Sequence, residues 1–143
     1  MKPVLAFVFT AFFAGLAVAQ TGVPTAVAPT AETDDATDLS KFLWKNRLLV
    51  VFADSPGDPR FIEQMALLEV RVEDLVERDV VVLIDTDPAM QTELREKFRP
   101  RGFMFVLIGK DGNVYLRKPL PWDTREISRS IDKMPLRRQE LRN

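Results

Sequence analysis

The chain contains no cysteine and no histidine among its 143 residues. Without cysteine it can form no disulfide, no thiol nucleophile and no thiolate metal site, and it cannot be lipidated on an N-terminal cysteine. The absence of histidine removes the commonest general base and the commonest ligand of transition metals. We therefore expect neither thiol–disulfide exchange nor peroxidase activity, and we assign no catalytic residue, no metal ligand and no cofactor.

The chain also lacks a strong charge of either sign, because its formal net charge is −1. Non-specific binding to nucleic acids requires a strongly basic surface, so no nucleic-acid partner is expected. The chain length and an ordinary hydrophobic content of 46% support one small domain with a modest core.

Residues 1–19 have the pattern of a secretory signal peptide. Lys2 precedes an apolar run from Pro3 to Val18, and Ala17-Val18-Ala19 forms a small-x-small cleavage site. An uncleaved anchor is the alternative, but the run is short for a bilayer and no basic stop follows it. The sequence thus predicts a mature chain that begins at Gln20, is periplasmic or secreted, and has no membrane span.

Residues 20–38 are rich in Thr, Ala, Pro and Asp and have few large apolar side chains. Such a segment cannot bury enough apolar surface to offset its conformational entropy. It is predicted to be a disordered spacer in front of a folded domain at residues 39–136. Residues 137–143 are predicted to be a basic, frayed C-terminal tail.

Apolar patterns within the domain predict four strands and three helices. The strands are 47–53, 80–84, 103–108 and 114–118, and the helices begin near Pro59, Pro88 and Thr124. Continuous apolar runs indicate that the first two strands are buried on both faces. Asp111-Gly112 indicates a hairpin between the last two strands. The order β-α-β-α-β-β-α predicts an α/β fold with a central four-stranded mixed sheet.

The predicted helices carry capping and packing signals. Asp58, Asp87 and Asp123 occupy N-cap positions, and Asp74 and Arg78 have the spacing of a favourable ion pair in one helix that runs to Asp79. Either Phe42 or Trp44 is expected to pack on the sheet. The residues expected to face inward are Phe61, Met65, Leu68, Val72, Leu75, Met90, Leu94, Phe98, Ile127, Ile131 and Met134.

This order of elements resembles the thioredoxin-like fold over roughly residues 44–134. In that superfamily a C-x-x-C redox motif would stand at the start of the first long helix, where this chain has Ser55-Pro56-Gly57-Asp58. The cis-proline of thioredoxins would fall near Met104 and is absent as well. Both departures argue against disulfide exchange.

A closer resemblance is to a bacterial exported family known as domain of unknown function 4174, which is similar to domains of animal sushi-repeat extracellular proteins. The resembling stretches are 47–52, 77–81, 107–112 and 131–140, and the last two, with Gly109-Lys110-Asp111-Gly112 and Met134-Pro135-Leu136, are the specific ones. The resemblance implies a thioredoxin-like fold and export. It implies no catalytic residues, because none is established in the family.

The turn between the first strand and the first helix is the strongest candidate site. Ligands of open α/β sheets bind where such a strand passes into its helix. Asp54, Ser55, Asp58 and Arg60 bring polar groups there, and Arg101 precedes the third strand. Free N–H groups at the start of the helix and the helix dipole favour an anion, to which the guanidinium of Arg60 could add bidentate hydrogen bonds. The structural alternative is that Asp58 only caps the helix and that Ser55 and Pro56 only form the turn.

Two other groups of residues are weaker candidates. The carboxylate pairs Asp54 with Asp58 and Asp85 with Asp87 could act as acid and base or hold a hard cation. The arginines at 137, 138 and 142 could dock on an acidic partner or on membrane headgroups, or could simply be solvated. Trp122 could pack before the last helix or mark a partner surface.

Together these patterns predict an exported, redox-inactive binding or structural module whose partner is a periplasmic protein or a small anion. The alternative is a non-thiol enzyme, or a protein that binds a metal or an anion, through carboxylates at the first strand–helix turn. A third hypothesis is an oligomerisation or envelope-scaffolding domain, which would expose an apolar patch.

Overall fold

The computed structural model describes residues 30–32 and 39–143. A five-stranded sheet contains β1 (Thr30–Glu32), β2 (Arg47–Phe52), β3 (Val80–Asp85), β4 (Met104–Ile108) and β5 (Val114–Lys118). The strand order across the sheet is β1-β3-β2-β4-β5. Strand β2 is parallel to β3 and antiparallel to β4, and β4 is antiparallel to β5. The predicted four-stranded mixed sheet is therefore present.

Strand β1 corrects the prediction for part of the spacer. Its three residues pair in parallel with β3, from Thr30 opposite Val82 to Glu32 opposite Ile84. The outer edge of β3 offers unpaired backbone N–H and C=O groups, and a short segment can pair with them whatever its side chains are. Composition alone therefore did not indicate this strand. The predicted signal peptide and the other spacer residues lie outside the described residues.

The described residues form five α-helices: α1 (Pro59–Val70), α2 (Val72–Glu77), α3 (Glu93–Phe98), α4 (Thr124–Asp132) and α5 (Pro135–Glu140). Two short 3₁₀ turns occupy Leu39–Phe42 and Pro88–Met90. Among the residues with described structure, no helix has the length and apolar character that a membrane crossing requires.

The single helix predicted from Pro59 to Asp79 is wrong, because the chain leaves the helical conformation at Arg71 (φ −137°, ψ 47°). Two helices, α1 and α2, result from this break. The apolar stripe still faces the sheet, and Leu68 and Leu75 are buried on either side of the break. The predicted pairing of Asp74 with Arg78 also changes, since the Asp74 carboxylate accepts from Arg71 and Arg78 donates to the backbone oxygen of Asp74.

The second predicted helix also divides into two parts. Asp87 caps the 3₁₀ turn Pro88–Met90, and a new cap at Thr92 starts α3. Met90 therefore belongs to the 3₁₀ turn and is 62% exposed, which corrects its predicted place on the inner face. Leu94 and Phe98 are buried as predicted.

Two apolar clusters cover the two faces of the sheet. Helices α1, α2 and α4 cover one face, to which Ile127 and Ile131 contribute as predicted. Helix α3 and the 3₁₀ turn Leu39–Phe42 cover the other face, where Phe42 is partly buried. Trp44 does not pack on the sheet, because it is 68% exposed and has a positive φ of 64°.

The predicted frayed C-terminal tail is wrong for residues up to Glu140. Pro135 begins α5, because proline is compatible with the first turn of a helix. Arg137 on this helix is only 7% exposed. Ion pairs between α5 and residues distant in the sequence hold the helix in place, and such contacts leave no local sequence signal.

Candidate functional site

The predicted strand–helix turn is formed as expected. The chain is buried through Ala53, becomes exposed at Asp54, and enters α1 at Pro59. Asp58 caps α1, because its carboxylate accepts a hydrogen bond of 2.9 Å from the backbone N–H of Arg60. The backbone N–H of Asp58 donates to the carbonyl of Ser55 at 3.2 Å, which closes the turn. Asp58 thus has a structural role at this position.

The other polar side chains of the turn form no hydrogen bond or ion pair within the described part of the chain. Asp54, Ser55 and Arg60 are exposed, and none of their side chains forms a hydrogen bond or ion pair with another described residue. Arg101 is exposed in the same way. The pairing of Phe52 with Met104 brings the segment that contains Arg101 to the same edge of the sheet as Asp54. The five predicted site residues therefore belong to segments at the same end of the sheet.

Asp85, a predicted carboxylate candidate, is committed to the fold. It is 2% exposed and accepts from Nε of Arg95 at 2.8 Å and from the hydroxyl of Thr92 at 2.5 Å. Nη2 of Arg95 also donates to the carbonyl of Ala53 at 2.7 Å, so the pair joins α3 to the end of β2. Asp87 caps the following 3₁₀ turn. Neither carboxylate is left as an open cation ligand, and no cluster of three or more potential metal-ligating side chains occurs in the described segments.

Trp122 packs within the fold rather than standing free. Its ring lies 6.1 Å from that of Phe105, measured between centroids. Its backbone exchanges two hydrogen bonds of 2.9 Å with the side chain of Gln64, which is fully buried. The packing explanation for Trp122 accounts for these contacts, and α4 begins just beyond it.

A second polar cluster lies at the opposite edge of the sheet, where β2 and β3 begin. We call it the charge cluster, and it comprises four cations and four carboxylates: Arg47, Arg78, Lys110, Arg137, Glu77, Asp79, Asp132 and Glu140. Glu140 on α5 joins Arg47 of β2 at 3.2 Å to Lys110 of the β4–β5 turn at 2.7 Å. Lys110 also reaches Asp79 at 2.8 Å. The cluster therefore connects four separate regions of the chain.

Arg78, Asp132 and Arg137 form the second half of the charge cluster. Arg78 holds both oxygens of Asp132 at 2.9 Å, and Arg137 contacts Asp132, Glu77 and Glu140 at 3.4 Å each. The hydrogen bond and charge of Arg78 hold the pKa of Asp132 below its usual value. A paired guanidinium favours the ionised carboxylate, so the contact of Arg78 with Asp132 stabilises the folded state at neutral pH.

The cations of the charge cluster are buried, whereas its carboxylates reach the surface. The side chains of Arg47 and Arg137 are 1% and 8% exposed, against 64% for Glu77 and 53% for Asp79. Nε of Arg47 is buried without a partner in the described structure. Since a buried guanidinium is costly when unpaired, the surrounding carboxylates stabilise the folded state.

The charge cluster was not predicted, although the sequence contains a signal for this cluster. Stretches 47–52, 77–81, 107–112 and 131–140 were the ones that carried the family resemblance, and every member of the cluster belongs to one of them. A charged residue at the start of a fully apolar strand, as Arg47 is in β2, was a second signal. The four stretches thus share a structural contact, which lies at the end of the sheet opposite the predicted site.

The fold and the strand–helix turn define a protein of the thioredoxin-like class. Reduced 2-Cys peroxiredoxin of Plasmodium vivax is similar with a TM-score of 0.57 and 16% identity, over 71% of this chain and 83% of that chain. Chloroplastic thioredoxin z is similar with a TM-score of 0.56 and 20% identity, over 75% and 93% of the two chains. At these identities the likeness shows the fold alone, and it confirms the predicted thioredoxin-like class.

The chain belongs to the family described as Domain of unknown function (DUF4174), whose model matches residues 38–140. This match confirms the predicted family and includes α5 in the domain. Coiled-coil domain-containing protein 80 of Danio rerio is 30% identical over 133 residues. The matched region covers 72% of this chain but only 15% of that relative, so the chain corresponds to a small part of the relative's length.

Proposed function

We propose that this protein is an exported, redox-inactive binding module that uses the turn from Asp54 to Arg60 as its ligand surface. The observation that carries the proposal is the free state of Asp54, Ser55 and Arg60 among the described residues. These side chains lie at the junction of β2 and α1, which is the place where ligands of open α/β sheets bind. The cysteine-free composition supports a role without thiol chemistry.

The ligand of this turn is a periplasmic protein or a small anion. Arg60 and Arg101 supply positive charge near the first turn of α1, where free N–H groups also favour an anionic group. Asp54 adds a negative charge to the same surface. A partner would therefore have to offer a hydrogen-bond donor to Asp54 as well as an acceptor to the arginines. A protein surface can present both groups at once, which favours a protein partner.

A crosslinking capture from periplasmic extract tests the binding surface. The wild-type protein is compared with an Asp54→Asn, Arg60→Gln variant, which removes both charges while the Asp58 cap remains. A Glu73→Gln, Lys41→Gln variant removes one exposed charge of each sign elsewhere and is the matched control. We expect a partner that is captured by the wild type and the control but lost with the turn variant. Equal capture by all three would place the interface elsewhere.

The anion arm uses inorganic phosphate as the probe. Phosphate binding at the turn should shift the backbone amide NMR signals of residue 58 and of residues 60–62, and Arg60→Gln should weaken the shift while Asp58→Asn should preserve it. No shift at these residues would exclude a small-anion site of this kind.

Export and redox inactivity have their own measurements. The mass of the protein recovered from the periplasm should correspond to a chain that begins at Gln20. The same purified protein should give no steady turnover of hydrogen peroxide or of a disulfide substrate above buffer. Sustained turnover would contradict the redox-inactive part of the proposal without affecting the binding surface.

A further inference from the structure

We propose that the exposed cations of α4 and α5 form a docking surface for an anionic phospholipid bilayer. The surface, which we call the basic face, comprises Arg125, Arg129, Lys133, Arg138 and Arg142. These residues follow one another at intervals of four, four, five and four along the chain, and all are exposed. Arg125 and Arg129 lie on one face of α4, because their spacing is four residues, and Lys133 caps the C-terminus of this helix. Arg138 lies on α5, and Arg142 follows the C-cap of α5 at Leu141.

The basic face has an excess of positive charge because the charge cluster pairs the nearby acids with other cations. Glu140 and Asp132 are the acids of α5 and of the end of α4, and both belong to the charge cluster. Glu140 pairs with Arg47 and Lys110, and Asp132 pairs with Arg78. Their negative charges are therefore compensated by buried cations from other elements. Residues 124–142 contain six basic and three acidic side chains, and the surface that they expose therefore carries an excess of positive charge.

The remaining charges of the basic face are largely unpaired. Arg129 contacts Glu126 at 3.1 Å, with both side chains more than half exposed, which makes a weak pair. The side chains of Arg125, Lys133 and Arg138 form no ion pair with any other described residue. Nε of Arg142 donates to the carbonyl of Arg138 at 3.2 Å, which holds these two arginines close together and leaves their charges uncompensated.

An apolar side chain stands within the basic face and favours a bilayer over a soluble acidic partner. Leu141 is 62% exposed between the neighbouring cations Arg138 and Arg142. Peripheral membrane proteins usually bind through cations that contact lipid headgroups and through a neighbouring apolar residue that enters the acyl boundary. An acidic polymer in water would pair with the arginines but would give Leu141 no apolar environment.

Vesicle sedimentation tests the docking surface. The protein is purified as the cell produces it and is mixed with vesicles of phosphatidylcholine alone or of phosphatidylcholine with phosphatidylglycerol. Every variant keeps the same N-terminal segment, so any binding by that segment is common to all and is measured on the neutral vesicles. We expect an excess of binding to the anionic vesicles that weakens with added salt.

Two charge variants decide whether the basic face is responsible. Arg138→Gln with Arg142→Gln should lower partition onto anionic vesicles by roughly thirty-fold at low salt, from the usual contribution of two basic residues. Lys41→Gln with Lys97→Gln removes the same charge from elements that pack on the other face of the sheet, and it should change partition by less than about two-fold. Equal losses in both variants would overturn the proposal, as would the absence of any preference for anionic vesicles.

A Leu141→Gln variant separates a bilayer from a soluble polyanion. It should lower vesicle partition while binding to polyglutamate in solution stays unchanged. If the wild-type protein binds polyglutamate but not anionic vesicles, the surface serves an acidic polymer and the bilayer proposal fails. Thermal melts of all variants should coincide with the wild-type melt, because the substituted side chains are exposed.

Discussion

Arg78 and Asp132 join the end of α2 to the end of α4 through two parallel hydrogen bonds of 2.9 Å each. The two residues are 54 positions apart in the chain. This bidentate geometry is the strong form of an arginine–carboxylate contact, and the side chain of Arg78 is only 13% exposed. The contact therefore fixes the position of α4 relative to α2 on one face of the sheet.

Replacement of Arg78 should show how much this contact stabilises the domain. Arg78→Met removes both bonds to Asp132 and the bond to the backbone of Asp74, and it should lower the free energy of unfolding by about 2–3 kcal/mol. Arg129→Met is the matched control, because the exposed pair of Arg129 with Glu126 should contribute less than about 1 kcal/mol. Urea unfolding measures both values. Similar losses in the two variants would show that burial does not strengthen the Arg78 contact.

The order of the elements was predictable because it depends on local pattern. The buried strands are marked by continuous apolar runs, and Asp58 and Asp87 cap helical turns as their positions indicated. The break at Arg71 and the exposure of Met90 were not predictable in this way, because the apolar period continues across both changes of backbone conformation.

The two polar regions differed in how far the sequence revealed them. The residues of the turn at Asp54 are close in sequence, so their gathering followed from one strand and one helix. The charge cluster joins Arg47 to Glu140 across 93 positions, and no local pattern specifies such a contact. The docking of α5 depends on that pairing, which explains why residues 137–140 were wrongly predicted to fray.

Stability should decline in acid because the charge cluster contains carboxylates with lowered pKa values. Asp132 lies below its usual value of 3.8, mainly through Arg78. Burial acts to raise the pKa of Glu140, but the bonds and charges of Lys110 and Arg47 outweigh it, so this pKa lies below the usual 4.5. The folded state then binds fewer protons than the unfolded state. Its extra stability is complete above about pH 5 and is lost as the pH falls through the folded-state values, below about pH 4.

Urea midpoints measured from pH 7 down to pH 3 check this dependence. An Asp132→Asn, Glu140→Gln variant should be less stable than the wild type at pH 7 and should decline less steeply in acid, because it lacks the two titrating groups. Parallel curves for the two proteins would assign the acid sensitivity to other carboxylates.

Gly109 should not tolerate a side chain. A Cβ atom at this buried position would lie 2.5 Å from Cε2 of Tyr115 and 2.6 Å from Oδ1 of Asp111. The Tyr115 hydroxyl donates to Asp111 at 2.8 Å, so the ring and the carboxylate are held together and cannot easily move away. Gly109→Ala should lower the free energy of unfolding by about 1–3 kcal/mol.

A double-mutant cycle measures the clash at Gly109. In a Tyr115→Ser background the ring is absent, and Gly109→Ala should cost clearly less than it does in the wild-type protein. Additive losses would mean that Tyr115 is not the source of the strain.

Asp85 and Asp87 should differ in their contributions to stability although they are neighbours in sequence. Asp85→Ala leaves Arg95 with an uncompensated charge in a buried site and should lower the free energy of unfolding by about 3–5 kcal/mol. Asp87→Ala removes only the cap of an exposed 3₁₀ turn and should cost about 1 kcal/mol. Guanidinium unfolding of both variants provides the comparison. A small effect of Asp85→Ala would indicate that water reaches the Arg95 guanidinium.

The pairing of Arg47 with Glu140 also has a consequence for the order of events during synthesis. The ribosome releases Arg47 long before Glu140, so an emerging chain carries a cation in its central strand without its distant partner. The sheet must then wait for α5 before that charge can be compensated. Folding of this domain should therefore finish only when residues 135–140 are present, and chains that end before Pro135 should remain sensitive to proteases.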